Sequence, residues 1–140
     1  GEPLDCACWV YAPAPFGLPP YLQPGLRRLQ AHPDKAYAFS VTTFPFPIQR
    51  AIRLNQAGEI EAMHPEYRNT RSQDLEEAYH DAGQFYWARA QAWIERAVVF
   101  SSQSLAVILP RYLVQDIDTQ EDWLRAEFMY DSLLASGTIC

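Results

Sequence analysis

Basic charge and long apolar runs are scarce in this sequence. Its 140 residues include a single lysine, Lys35, and the formal net charge is −6. Because binding to nucleic acid or to an anionic membrane surface needs a positive patch, we expect neither partner. No apolar run reaches the roughly 20 residues that span a membrane, and residues 1–5 lack the basic and apolar regions of a signal peptide. We therefore expect no membrane association.

Cysteine is also sparse. Cys6, Cys8 and Cys140 make an odd number, and their spacing is not that of a zinc site. Cys6 and Cys8 alternate in an apolar run, so we interpret them as small core side chains, with a disulfide or redox role as the alternative. Such cysteine usage favours a reducing, cytoplasmic compartment.

Glycine does not cluster. The six glycines are scattered along the chain, and none belongs to a loop of the kind whose backbone N–H groups cradle phosphates. The 140 residues therefore predict no triphosphate cradle of their own.

Apolar residues, in contrast, are abundant. They make up 49% of the sequence, and aromatic residues make up 14%. A chain of this length buries roughly 68% of its unfolded surface, which is enough for one hydrophobic core. We predict a single domain over residues 1–140.

Strand-like and helix-like segments alternate along the chain. The predicted strands are residues 4–11, 36–43, 83–87 and 105–109. The predicted helices are residues 24–31, 88–95 and 119–134. A hairpin is predicted from residues 51–54 and 59–63. This alternation is typical of an α/β fold with a mainly parallel sheet.

Two carboxylates near the end of the chain give the clearest chemical signal. Asp116 and Asp118 lie in a segment predicted to be extended, so their side chains point to the same side. Two carboxylates, completed by phosphates and water, are a usual way of holding Mg²⁺. Asp118 has a second interpretation, because Asp118-Thr-Gln-Glu121 matches a capping box at the start of the last helix. Capping leaves Asp116 unexplained.

Two further side chains suit an acidic sugar as ligand. The planar fork of Arg71 fits a carboxylate with two hydrogen bonds, although a solvated loop arginine is the alternative. Tyr79 is able to pack against a sugar ring and donate one hydrogen bond, and its alternative is a core aromatic.

Long polar segments of the chain resemble one enzyme family. Residues 69–87 and 109–123 are similar to the C-terminal half of the CMP-sialic acid synthetases, also called acylneuraminate cytidylyltransferases. The segments Ser40-Val-Thr-Thr-Phe-Pro-Phe-Pro-Ile-Gln-Arg50 and Gln84-Phe-Tyr-Trp87 resemble most the branch that activates pseudaminic acid. The similarity extends over nearly the whole chain.

The resemblance implies a fold, substrates and site residues. It implies a Rossmann-like nucleotidyltransferase fold with a protruding hairpin used to form a homodimer, and CTP and an acidic nine-carbon sugar as substrates. Asp116 and Asp118 match the family's Mg²⁺-binding motif. The positions that match the lining of the sugar pocket are Arg71, Gln73, Tyr79 and Asp81.

The sequence also departs from the family. Its relatives begin with a basic, glycine-rich loop for the triphosphate, which these residues lack, and Pro13 stands where they usually have threonine. We therefore expect a truncated cytidylyltransferase that is inactive alone. The alternatives are a sugar-acid-binding or assembly module completed by a separate N-terminal chain, and a folded fragment with no function of its own.

Overall fold

The computed structural model describes residues 4–16 and 19–139, so Cys140 and part of the proline-rich turn lie outside the described residues. Within them, the strands are β1 (Cys6–Val10), β2 (Tyr37–Thr43), β3 (Ile52–Leu54), β4 (Ile60–Ala62), β5 (Tyr79–Arg89) and β6 (Ser104–Ile108). The α-helices are α1 (Pro19–Ala31), α2 (Ala90–Glu95) and α3 (Gln120–Ala135). The predicted α/β class is confirmed.

The chain divides into two compact units. One, which we call the sheet unit, consists of residues 1–42 and 81–140, and the other, the hairpin unit, consists of residues 43–80. Each unit has its own secondary structure. The prediction of one domain over residues 1–140 stays a prediction.

Four strands form a mixed sheet in the order β1-β5-β2-β6. β1 pairs antiparallel with β5, and β2 pairs parallel with β6. β5 also runs antiparallel to β2, since Arg89 bonds to Ala36 at one end while Phe85 bonds to Ser40 further along. The predicted mainly parallel sheet was therefore wrong: in the described sheet the parallel neighbours are β2 and β6.

The path of the chain explains why β5 opposes β2. The chain leaves β2 at Thr43 and returns into β5 at Tyr79, and the Phe44 N–H donates to the Ala78 carbonyl over 3.2 Å. Because the intervening segment leaves and returns at neighbouring points, β5 runs back alongside β2. A short apolar run has the same pattern in a parallel strand as in an antiparallel one, so the sequence did not reveal the direction of β5.

The main core lies between α1 and one face of the sheet. Leu29 of α1 is fully buried there, against Phe85 and Val107 of the sheet. The helix comes so close that a Cβ on Gly25 would lie 3.1 Å from ring atoms of both Phe85 and Trp87. A side chain here would need these rings to move by a few tenths of an ångström, so the close approach favours glycine.

Arg89 fixes the end of α1 to the sheet. Its guanidinium donates to the carbonyl oxygens of Leu29, His32 and Lys35 over 2.8–3.1 Å. Carbonyls at a helix C-terminus have no partner within the helix, so a cationic donor there stabilises the helix end. The opposite face of the sheet packs on α2, where the buried Tyr37 hydroxyl donates to the carbonyl of Ala97 over 2.9 Å.

The last helix begins one residue later than its sequence suggests. Thr119 is the N-cap of α3: its hydroxyl accepts from the Asp122 N–H over 3.2 Å, and the Asp122 carboxylate accepts from the Thr119 N–H over 2.9 Å. The expected capping box of Asp118 with Glu121 was therefore wrong. The cap lies one residue later than expected because Thr119 and Asp122 satisfy two backbone N–H groups in the way expected of Asp118 and Glu121. Capping no longer accounts for the carboxylate of Asp118.

We expect Thr119→Ala to lower the free energy of unfolding by roughly 0.5–2 kcal/mol, since it removes the N-cap oxygen. Asp118→Ala is the matched control, and as an exposed substitution it should stay within about 0.5 kcal/mol. Urea denaturation of the two variants measures both values. If Asp118→Ala lowered the free energy of unfolding more than Thr119→Ala does, this capping register would be contradicted.

The hairpin unit contains the predicted hairpin, in which β3 and β4 pair antiparallel. Asn55 organises the turn, because its side-chain oxygen accepts from the N–H groups of Ala57 and Glu59 over 2.9–3.0 Å. Gly58 has φ of +81°, a conformation that favours glycine. The local prediction of strands and turn was thus correct.

Cys6 and Cys8 are half-buried free thiols that pack against the main core. Burial raises the pKa of the Cys8 thiol, which disfavours the reactive thiolate. Both positions fit the interpretation as core side chains. Across the described ranges, no helix is both long and apolar enough to cross a membrane.

Candidate functional site

The first part of β5 contains a local distortion that presents Asp81. Gly83 lies inside the strand with φ of +61°, and its N–H donates to the Asp81 carboxylate over 2.8 Å. A glycine with positive φ inside a strand marks a bulge, which adds a residue and re-aims the side chains around it. The hydroxyl of Tyr86 donates to the other oxygen of Asp81. Both oxygens of this carboxylate are therefore held by donors of β5.

Packing fixes Tyr86 in turn. Its ring stacks on Phe39 of β2, with 5.7 Å between the ring centroids and 18° between the planes. The pKa of Tyr86 is raised, first by burial and then by its hydrogen bond to Asp81. The hydroxyl therefore keeps its proton and remains a donor at neutral pH.

Asp116 and Asp118 come from the segment between β6 and α3. Gln84 of β5 anchors the start of this segment, since its side-chain amide donates to the carbonyl of Leu113. Gln115 is buried and Ile117 is half-buried, whereas Asp116 and Asp118 are exposed. The alternation puts both carboxylates on the solvent side of an extended segment, as their spacing predicts.

The segment and the bulge bring three carboxylates near one another. A Cβ on Gly83 would lie 4.0 Å from an Oδ of Asp116, and the N–H of the same glycine holds Asp81. Asp116 is exposed, but loss of part of its surrounding water raises its pKa, and the negative charges of Asp118, Asp122 and Asp81 add to the rise. We call Asp81, Asp116 and Asp118 the acidic cluster. Its members repel one another, and a cation would relieve that repulsion.

The acidic cluster has the donor chemistry of a magnesium site. Carboxylate oxygens are the hard ligands that Mg²⁺ takes, and one or two of them suffice when water and phosphate complete the octahedron. In the described ranges, no three acidic, histidine or cysteine side chains converge closely enough to hold an ion by themselves. The residues therefore fit an Mg²⁺ held partly by a bound phosphate, and not a closed protein cage.

The other sequence-predicted site residues belong to the hairpin unit. Arg71 is 74% exposed and its Nε donates to Asp74 over 2.8 Å. Gln73 lies in a 3-10 turn over Ser72–Asp74. Tyr79 is exposed, and its hydroxyl donates to Glu77 over 2.5 Å. Of the predicted residues, Asp81, Asp116 and Asp118 thus belong together in the sheet unit.

Sequence reasoning missed Tyr86. In a regular strand, residues five apart point to opposite faces, so Tyr86 is not expected to contact Asp81. The bulge at Gly83 adds a residue and changes the phase of the strand, which puts both side chains on one side. The only local signal was a glycine inside a strand pattern.

Comparisons with known proteins give relatives of one kind. No protein-family model matches the chain. Over 126 residues, 90% of this chain, it is 38% identical to the pseudaminic acid cytidylyltransferase of Campylobacter jejuni strain 81-176 and equally to that of strain NCTC 11168. Over 81% of the chain it is 33% identical to a Helicobacter pylori protein named pseudaminic acid cytidylyltransferase and UDP-2,4-diacetamido-2,4,6-trideoxy-beta-L-altropyranose hydrolase.

The match covers part of each relative. The chain spans 54% of the length of both Campylobacter jejuni proteins and 22% of the Helicobacter pylori protein. In the Campylobacter jejuni proteins, the region matched is a C-terminal part.

Proposed function

We propose that this chain contributes the metal-binding and sugar-binding residues of a CMP-sugar synthetase. The premise is that it belongs by sequence to the pseudaminic acid cytidylyltransferase family. The reaction would transfer CMP from CTP to an acidic nine-carbon sugar of the pseudaminic or sialic type. The identity of 38% over 90% of the chain supports the family. Because the chain spans about half the length of these relatives, the activity of the whole protein is part of the proposal.

The acidic cluster is the observation that carries this proposal. Asp116 and Asp118 would hold Mg²⁺ through one oxygen or more each, at a point where Asp81 adds negative charge. A bound Mg²⁺ supplies neutralisation of phosphate charge. The exposure of Asp116 and Asp118 suits this role, because nucleotide phosphates would complete the coordination from the solvent side.

The chemistry is a displacement at phosphorus. The anomeric oxygen of the sugar forms a bond to the α-phosphorus of CTP while the bond to the bridging oxygen breaks. Pyrophosphate leaves, and the hydroxyl proton passes to solvent. Such reactions depend on positioning and charge stabilisation more than on covalent help from the protein. The oriented carboxylate of Asp81 and the outward carboxylates of Asp116 and Asp118 match that requirement.

For the sugar acid, we propose Arg71, Gln73 and Tyr79 of the hairpin unit as ligands. Arg71 would bind the sugar carboxylate, since its contact with Asp74 is through Nε and the side chain is largely exposed. A guanidinium fork gives a carboxylate two charge-assisted hydrogen bonds. Tyr79 would offer its ring to the sugar.

We expect Arg71→Ala to weaken binding of pseudaminic acid roughly tenfold or more, because hydrogen bonds to a charged group contribute about 1.5–3 kcal/mol. Arg53→Ala is the matched control: Arg53 belongs to the same unit, is 70% exposed, and likewise pairs through Nε with an acidic residue, Glu61. Isothermal titration calorimetry of the sugar into both variants and the unaltered chain gives the affinities.

Two results would count against the proposed sugar site. Equal affinity in Arg71→Ala and the unaltered chain would remove Arg71 from it. An unaltered chain that binds neither pseudaminic nor sialic acid would argue against sugar recognition by these residues altogether. A chain that binds the sugar without turnover would fit a binding module that needs further residues for CTP.

We also propose that the chain forms a homodimer through its hairpin and that it works in the cytoplasm. Three large aliphatic side chains of the hairpin, Ile52, Leu54 and Ile60, are each more than half exposed. A group of exposed aliphatic side chains of this kind marks an interaction surface. The compartment is proposed from the cysteine usage.

A further inference from the structure

We propose that Tyr86 is a positioning residue for the metal site, acting through Asp81. The inference rests on the proposed function, since it assigns a role toward the cation that Asp116 and Asp118 would hold. It concerns a residue that the sequence resemblance did not single out for any role.

The Tyr86 hydroxyl has one hydrogen bond to donate, and its ring is held in place. Its proton is donated to Asp81, and a phenol has only one proton to donate. The ring cannot drift, because it stacks on Phe39, which is itself buried and meets Phe100 edge to face at 5.7 Å between centroids. A packed ring of this kind holds its hydroxyl at a set position.

Asp81 is oriented from two sides. The Gly83 N–H holds one oxygen and Tyr86 holds the other. An aspartate with a donor at each oxygen has no free rotation about its side-chain bonds. The position of its negative charge is therefore fixed. Asp81 lies beside Gly83, the glycine that Asp116 also approaches.

Asp81 lies close to the carboxylate of Asp116, which would hold the cation. Both carboxylates lie beside Gly83: its N–H donates to Asp81 over 2.8 Å, and a Cβ on it would lie 4.0 Å from an Oδ of Asp116. A negative charge at this place favours a cation bound to Asp116 and Asp118. Hydrogen bonds that orient the carboxylates around a metal typically change affinity by about 10–100-fold when they are removed.

The test is Tyr86→Phe, which removes the hydroxyl and keeps the stacked ring. We expect it to weaken Mn²⁺ binding by roughly tenfold, measured on the full chain from the free Mn²⁺ signal in electron paramagnetic resonance. Mn²⁺ is the probe because it takes the same oxygen ligands as Mg²⁺. Tyr112→Phe is the matched control, since Tyr112 is an exposed tyrosine of the segment that leads to Asp116.

A double-mutant cycle separates positioning from a general structural effect. If Tyr86 acts through Asp81, then Tyr86→Phe should have no further effect on Mn²⁺ affinity in an Asp81→Ala background. The full tenfold effect in that background would overturn the inference. Thermal melting of each variant shows whether the fold is retained, and Asp81→Asn, which keeps an acceptor for the hydroxyl, provides a second folded variant.

The results also distinguish the two proposals. Mn²⁺ binding that is lost in Asp116→Asn but unchanged in Tyr86→Phe would overturn the positioning role and leave the metal site. An unaltered chain that binds no Mn²⁺ at millimolar concentration would overturn both.

Discussion

Asp116→Asn is expected to abolish measurable Mn²⁺ binding while leaving the fold as stable as before, or slightly more stable. The substitution keeps the shape of the side chain and removes the charge that a hard cation needs. Stability should not fall, because partial desolvation and the neighbouring carboxylates raise the pKa of Asp116. A carboxyl whose pKa is higher in the folded state opposes folding at neutral pH, so neutralising it removes an unfavourable contribution.

Metal titration beside thermal melting measures both effects. Asp131→Asn is the matched control, because it removes an exposed carboxylate on α3, away from the acidic cluster in sequence, at the same cost in net charge. It should bind Mn²⁺ as the unaltered chain does. If Asp116→Asn and Asp131→Asn were equally weakened, attraction by overall charge would explain the binding, and the site would have to be abandoned.

A single substitution in the hairpin is expected to halve the mass of the protein in solution. Ile52, Leu54, Ile60 and Ala62 lie on one face of the hairpin, because Ile52 pairs with Ala62 and Leu54 pairs with Ile60. The opposite face has the ion pair of Arg53 and Glu61 at 2.9 Å. Both faces are exposed to solvent. A hairpin with one apolar face and one charged face is typical of one that packs its apolar face on a partner.

Light scattering at micromolar concentration should therefore give about twice 16.0 kDa for the unaltered chain and a monomer for Leu54→Glu. The new carboxylate would have to be buried unpaired in the interface, which is strongly unfavourable. Arg53→Ala changes the other face of the same strand and should leave the dimer intact. A monomeric unaltered chain would refute the prediction, and a dimer that survives Leu54→Glu would place the interface elsewhere.

The local elements were predictable because their signals are local. The hairpin follows from Asn55 and Gly58, whose turn geometry is built into the residues themselves. The start of α3 was predicted to within one residue, since threonine and aspartate compete for the cap at adjacent positions. Helix α1 begins earlier than predicted, at Pro19, so Pro24 lies inside the helix and does not mark its start. Pro19 and Pro20 occupy the first turn, where proline is tolerated.

The metal candidates were predictable for a similar reason. Asp116 and Asp118 share a side because alternation is a property of any extended segment, whatever it packs against. Their proximity to Asp81 was not predictable from spacing, since it depends on how β5 and the segment after β6 come together. Asp81 entered the prediction through family resemblance alone.

By itself, the sequence determined the α/β class, the hairpin, the outward carboxylates and the resemblance to one enzyme family. Only the tertiary structure decided the direction of β5 and the partnership of Tyr86 with Asp81. The physical reason is the range of the interactions. Periodicity and turn chemistry act over a few residues, whereas strand direction and the phase of a strand after a bulge depend on which distant segments pack together. Tyr86 reaches Asp81 because Gly83 shifts the phase of β5 and Phe39 of β2 holds the ring in place.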